Sequence, residues 1–339
     1  MASQGYHPIM KRRDFIAGVG AAALSPLAAP AQQPERMKLI ATLLGTAETD
    51  LESRRRVAAF RDGLKAFGWI EGKTVRIESR WGGGSPELMR GFARELVNLK
   101  PDVILTNGTP SAAAIRAATS TIPVVFAVIT DPIGDGFVAS LARPGGNMTG
   151  FTAFESEIGG KWVDVLRDVS PKLTRIGLLF NPRTVPGGGT SLMRPFFDAA
   201  ARAMGAEPVP LPVESAADIE RSLAAHAQPG AGLVAMPDGF LFIHGALIVR
   251  LSNELRLPVV YPFRHFADLG GLVSYGVDSA DLNRRAAAYV DRILNGNAPA
   301  DLPVQTPTKV ELVLNLRTAK AIGIDIPLSL QTRADEVIE

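Results

Sequence analysis

Residues 102–118 read DVILTNGTPSAAAIRAA. A β-branched run reaches Asn107-Gly108, and Thr109-Pro110-Ser111 then opens an alanine-rich helix. Such a turn points several backbone N–H groups and the positive end of a helix dipole at one spot. That is the chemistry of an anion receptor. One of Thr109 and Ser111 caps the helix, while Gly108, a neighbouring N–H and the other hydroxyl remain for a carboxylate. The plainer reading is that both hydroxyls only cap the helix. A second turn of this kind, PGGGTS at 186–191, opens a helix in the other half of the chain. Two such helix starts can face one cleft.

The remaining candidates follow from one rule: in open parallel sheets, ligands sit beyond the carboxyl ends of strands. Gly45 and Thr46 follow the first expected strand, Thr130 and Asp131 the fourth, and Thr152 ends a glycine-rich turn segment. In the second half Asn181, Asp238, Tyr261 and Phe263 occupy equivalent places. Asp131 and Asp238 can each pair with an ammonium group, and each can equally be a helix N-cap or an Asx-turn. Tyr261 and Phe263 can sandwich an apolar or aromatic group, or belong to the core.

Catalytic signatures are thin. His226, His244 and His265 have no metal-ligand spacing, and no cysteine exists to supply a thiolate or a disulfide. There is no G-x-S-x-G, no P-loop lysine motif and no H-E-x-x-H. WGGGSP at 81–86 lacks G-x-G-x-x-G spacing and reads as a flexible loop. No catalytic residue, metal or cofactor is expected.

The elements that must position these residues alternate regularly. Strands are expected at 38–44, 74–79, 103–106 and 123–129, with helices at 50–67, 85–99 and 111–118 between them. Val57, Phe60, Leu64 and Phe67 give the first helix its apolar spacing. LARPGGNMTGFT at 141–152 breaks the rhythm as a turn and hinge. The alternation then restarts with helices at 162–169, 190–204, 216–227 and 242–255. Its strands are expected at 175–180, 208–213, 232–236, 259–261 and 272–275. A helix at 281–294, a strand-like stretch at 309–316 and a short helix at 317–322 close the chain. The pattern predicts an α/β protein of two doubly wound parallel-sheet domains joined by multiple crossovers.

The chain has 339 residues, 46% of them hydrophobic, enough for two domains. Its formal charge of +2 comes from the front: without 1–31, which hold Lys11, Arg12, Arg13 and Asp14, the two signs balance. A balanced chain without a basic stripe argues against nucleic acid as a partner. Residues 1–31 read as an export signal, with a basic start, an apolar stretch from Phe15 and Ala29-Pro30-Ala31 at the end. The apolar stretch is shorter than the roughly 20 residues of a membrane span. Lys11 to Ile16 reads as a twin-arginine signal, although an ordinary secretory signal fits too. Met10 is an alternative start to Met1.

Several segments together resemble the ABC-type substrate-binding proteins related to the tryptophan/tyrosine uptake system. They are GTPSAAAIRAATSTIPVVFAVITDPIGDGFVASLARPGGNMTGFT, FNPRT, PDGF, LPVVYPFRHFADLGGLVSYG, AAAYVDRILNG and LPVQTPTKVELVLNLRTAKAIG. The resemblance implies a type I periplasmic binding fold: an export signal over 1–31, one lobe from 37–148 plus 278–297, and another from 149–277 plus 298–339. It implies a monomeric periplasmic protein that captures an amino acid or related carboxylate between its lobes and delivers it to an ABC permease in the inner membrane. It puts a ligand carboxylate on Gly108, Thr109 and Ser111, and an amine on Asp238 or Asp131. A two-domain glycosyltransferase-like enzyme and a periplasmic ligand sensor are the alternative readings.

Overall fold

The computed structural model describes residues 36–183 and 192–339; the expected export signal and the PGGGTS turn lie outside them. Lys38–Leu44 (β1) and Val103–Asn107 (β3) are apolar and covered on both faces, as the inner strands of a parallel sheet must be. Val75–Trp81 (β2), more polar and partly exposed, flanks β1. With Val124–Ile129 (β4) and Met148–Thr152 (β5) they form a five-stranded parallel sheet in the order β2-β1-β3-β4-β5. Three helices connect these strands. Leu51–Ala66 (α1) is capped by Asp50, which accepts from Ser53 N at 2.7 Å. Pro86–Asn98 (α2) is capped by Ser85, and Thr109–Ala118 (α3) starts at Gly108.

The second sheet has seven strands. They are Arg175–Phe180 (β6), Glu207–Pro212 (β7), Ala231–Ala235 (β8), Val259–Tyr261 (β9), Val273–Gly276 (β10), Glu311–Asn315 (β11) and Glu336–Ile338 (β12), ordered β12-β11-β10-β9-β8-β6-β7. Only the β10/β11 pair is antiparallel. Ile158–Val169 (α4) carries fully buried Trp162, whose indole N–H donates to Tyr275 O at 2.7 Å. Arg194–Ala203 (α5) and Ala216–His226 (α6) complete the first crossovers. Gly239–Ile243 (α7) and Gly245–Glu254 (α8) replace the single helix expected at 242–255, with the break at His244. Arg264–Asp268 (α9), Leu328–Gln331 (α12) and β12 are elements the sequence pattern did not reveal.

Two expected lobe boundaries shift. The one at 148/149 falls inside β5, which pairs with β4; the segment expected as a turn and hinge ends in a buried strand. Gly150 permits that pairing, because a Cβ there would meet Phe126 O at 2.0 Å and its φ is +152°. The boundary at 297/298 moves past Gln305. Thr149 donates to Leu302 O at 2.5 Å and Thr152 N donates to Gln305 O at 2.9 Å, so 302–305 stay beside β5. Between these crossings Ser279–Leu294 (α10) returns to the first lobe and packs along α1. Gly63 makes that approach close: a Cβ would lie 2.6 Å from Arg284 O. Leu316–Ile322 (α11) follows β11 on the second lobe and ends at Gly323 in the left-handed region. The chain therefore crosses between its lobes three times.

Candidate ligand-binding cleft

The carboxyl ends of both sheets face a cleft of about 1140 Å³. From the first lobe, Gly45, Thr46, Gly108, Thr109, Thr130 and Asp131 line it. Asn181, Asp238 and Phe263 line it from the second. The strand-end rule thus gathers nine of the twelve expected positions at one place. Ser111, Thr152 and Tyr261 are elsewhere. Ser111 is fully buried; its hydroxyl accepts from Thr106 at 2.8 Å and turns back to Asn107 O at 2.7 Å and Gly108 O at 2.9 Å. Helix side chains lean toward the N-terminus, so position 111 looks into the sheet, not the cleft. Thr152 is buried with its hydroxyl toward Gln305 O. Tyr261 is a core residue stacked on Phe266, ring centres 4.8 Å apart, and burial pushes its phenol pKa up.

Gly108, at φ +87°, opens α3 with no side-chain cap, and the space beside its Cα is open. The Thr109 hydroxyl lies near the Asp135 carboxylate. Burial and then the charge of Asp131 push the Asp135 pKa up to about 6, with the Thr109 hydroxyl pulling the other way. Asp131 Oδ1 accepts from Gly134 N, three residues on, at 2.7 Å, a side-chain cap that holds this loop. Just before it, Val128 sits at φ +58° on the cleft wall, where β4 bulges against β5. A β-branched residue in that region is strained, a feature that collects at functional sites.

Asp238 proves to be a clamp. Its Oδ1 accepts from Phe240 N at 2.6 Å and Leu241 N at 3.2 Å, and its Oδ2 from Asn181 N at 2.9 Å. The side chain is 4% exposed. It caps α7 and ties that turn to the end of β6. Asn181 Oδ1 in turn accepts from Arg183 N at 2.8 Å. Across the cleft, Thr130 donates to Pro237 O at 3.5 Å. The glycines of WGGGSP are tied, not loose. Gly82, Gly83 and Gly84 N–H groups donate to Leu44, Thr46 and Gly45 carbonyls, and the loop lines the cleft.

Sequence reasoning missed Arg56, which reaches the cleft from α1 and is 5% exposed. Its Nε donates to Ser279 Oγ at 3.0 Å and its Nη1 to Asn107 Oδ1 at 3.3 Å. Phe242 and Phe263 of the second lobe lie 5.0 and 5.9 Å from the guanidinium. Burial lowers the Arg56 pKa, with Glu52 opposing. The second-lobe wall is aromatic: Phe242 stacks on His265 at 4.3 Å, and Phe240 lies against His244. The available signal was a charged residue beside Val57 on the apolar face of a helix, four positions before Phe60. Among the described residues, no group of His, Cys, Asp and Glu is placed to hold a metal ion. Among them too, no helix is long and apolar enough to cross a membrane.

Residues 52–338 match the family model of the ABC transporter substrate binding proteins. The chain belongs to that family. A curated relative, the tyrosine-binding protein of Clostridioides difficile (strain R20291), is 24% identical over 265 residues, 78% of this chain and 75% of the relative. A conserved domain protein of Vibrio cholerae superposes with a TM-score of 0.82 at 28% identity, over 89% of this chain and all of the other. The ABC domain in complex with L-Trp from Streptococcus pneumonia superposes with a TM-score of 0.81 at 24% identity, over 89% and 99% of the two chains. Proteins with other bound solutes share the fold at lower identity, among them an ABC transporter solute binding protein from Agrobacterium vitis with bound allitol. The expected type I periplasmic binding fold is therefore the fold found.

Proposed function

We propose that this protein captures an α-amino acid or a closely related carboxylate in the interlobe cleft and delivers it to an ABC permease in the inner membrane. The observation that carries the reading is the turn at 108–109. An uncapped helix start suited to a carboxylate and an acidic pair, Asp131 and Asp135, suited to an ammonium group, meet at adjacent residues. The aromatic wall of Phe240, Phe242 and Phe263 faces them from the other lobe and suits an apolar or aromatic side chain. The tyrosine and tryptophan named for two similar proteins have this chemistry.

In this reading the protein performs no catalysis; the ligand stabilises the closed form, and the permease recognises that form. It is a periplasmic monomer, exported by the signal over 1–31, with no nucleic acid among its partners. Native mass spectrometry of freshly purified protein, followed by calorimetry with the twenty amino acids, tests the ligand class. Retention or binding of an amino acid, with a smaller radius of gyration on saturation, is expected. A retained sugar or nucleotide, with no amino acid bound, refutes the class.

A further inference from the structure

We infer that Arg56 is the anion anchor of the cleft: its Nη2 receives the ligand's carboxylate beside the start of α3. The inference rests on the reading of the cleft as a small-molecule trap and adds a residue that the strand-end rule does not reach. A guanidinium has five N–H donors. In Arg56 the Nε–H goes to Ser279 and an Nη1–H to Asn107, whereas Nη2 is buried with no acceptor among the described residues. A buried charged donor left without a partner is costly, and Arg56 is one of the residues that line the cleft. The Nη1 contact fixes the fork against Asn107, the last residue of β3, which Gly108 and the uncapped α3 follow. Guanidinium and helix start thus converge on one anion, in the fork geometry that suits a carboxylate.

The nearby negative charges leave room for that anion. Glu52 lies 3.5 Å from Arg56 Nε, but its other oxygen is 3.6 Å from Arg55, and its Oε1 also accepts from the Ser279 hydroxyl. Asp50 caps α1, held by one backbone N–H group, and Asp278 caps α10, held by two. Phe242 and Phe263 cover the guanidinium from the second lobe, and pairing with a charge strengthens where water is excluded. A ligand anion at Nη2 would therefore be bound more tightly in the closed form than in an open one.

The test is calorimetry on the full chain with L-tryptophan, L-tyrosine, indole-3-acetate and the carboxylate-free tryptamine and tyramine. Wild type, Arg56→Lys and Arg56→Gln are compared. At least one carboxylate should bind wild type, Arg56→Gln should weaken it about tenfold or more, and Arg56→Lys should recover part of the loss. Carboxylate-free ligands should bind wild type weakly or not at all and lose less than about threefold in the variants. Equal losses for a carboxylate and its amine overturn the inference, as does failure of every carboxylate to bind at about 10 mM. Binding of indole-3-acetate but of no amino acid, still dependent on Arg56, upholds the anchor and refutes the amino-acid reading. Should Arg56→Gln not fold by circular dichroism, Arg56→Lys and the wild-type comparison of acid with amine decide. A wild type that prefers tryptamine to tryptophan then overturns the anchor.

Discussion

Asp238→Ala separates a structural clamp from a ligand contact. The carboxylate accepts three backbone N–H groups, two in the first turn of α7 and one, from Asn181, at the end of β6. Removing a side-chain cap costs about 1 kcal/mol. Leaving the buried Asn181 N–H without its acceptor costs a further ~1–3 kcal/mol. The variant should therefore lose about 2–4 kcal/mol, read as a thermal midpoint lower by about 3–6 °C for a chain of this size. Asp238→Asn should lose less, since one carbonyl oxygen remains but the amide NH2 faces a donor. Differential scanning calorimetry without ligand gives the midpoint, and titration calorimetry of the folded fraction gives affinity. Affinity for an ammonium-bearing probe should change little. An unchanged midpoint with a tenfold or larger loss of affinity, about 1.4 kcal/mol, would refute the clamp and return Asp238 to the ligand.

Ser111→Ala should cost about 1–2 kcal/mol of stability by orphaning the buried Thr106 hydroxyl, with unchanged ligand affinity; urea melts beside titrations check both. Gly276→Ala should fail to accumulate as soluble protein, because a Cβ there would lie 1.7 Å from Pro262 O, which is backbone and cannot swing aside. Asp135, facing Asp131 and the Thr109 hydroxyl with Arg116 donating to its main-chain oxygen, keeps its proton up to about pH 6 instead of 3.8. Between those values the native state holds the extra proton, so this group makes ligand-free stability fall as pH rises. Affinity for an ammonium-bearing ligand moves the other way, weakening by up to about tenfold from pH 7 to pH 5 as the carboxylate is neutralised. Calorimetry across that range should show the trend in wild type and a flat profile in Asp135→Asn; the same slope in the variant would assign the proton to another group.

The strands were the legible part of the fold. Val103–Asn107 and Val124–Ile129 are apolar runs bounded by turn residues, and such runs in alternation with amphipathic helices leave few topologies. β5 was not legible, because MTGFT carries a glycine that weakens a strand pattern and follows a Pro-Gly-Gly-Asn turn signal. Only the close approach of Gly150 to Phe126 explains why that residue stands there. The second boundary was hidden for a different reason. Residues 302–305 return beside β5 through isolated backbone and hydroxyl bonds, which have no periodicity to read.

The site divides in the same way. Positions beyond strand ends follow from topology, which is why Thr46, Thr130, Asp131 and Phe263 share one cleft. Which way a side chain turns there does not follow. Thr109 at the helix start meets Asp135, whereas Ser111 two residues on turns back to the strand. Asp238 and Asp131 look alike in sequence, yet one carboxylate is filled by three backbone donors and the other accepts one from its own loop. Arg56 escaped because it stands in the body of a helix, away from any strand end. The two lobes then hold complementary parts. The first carries Arg56, the α3 start and the Asp131–Asp135 pair, and the second carries the aromatic wall. The Arg55–Asp268 pair at 3.7 Å and the Phe242 ring over Arg56 join them. Arg55 is about half exposed, so its pair is worth little. The buried guanidinium is the contact whose strength depends on what the cleft holds, and it is therefore where ligand binding and lobe closure are most directly coupled.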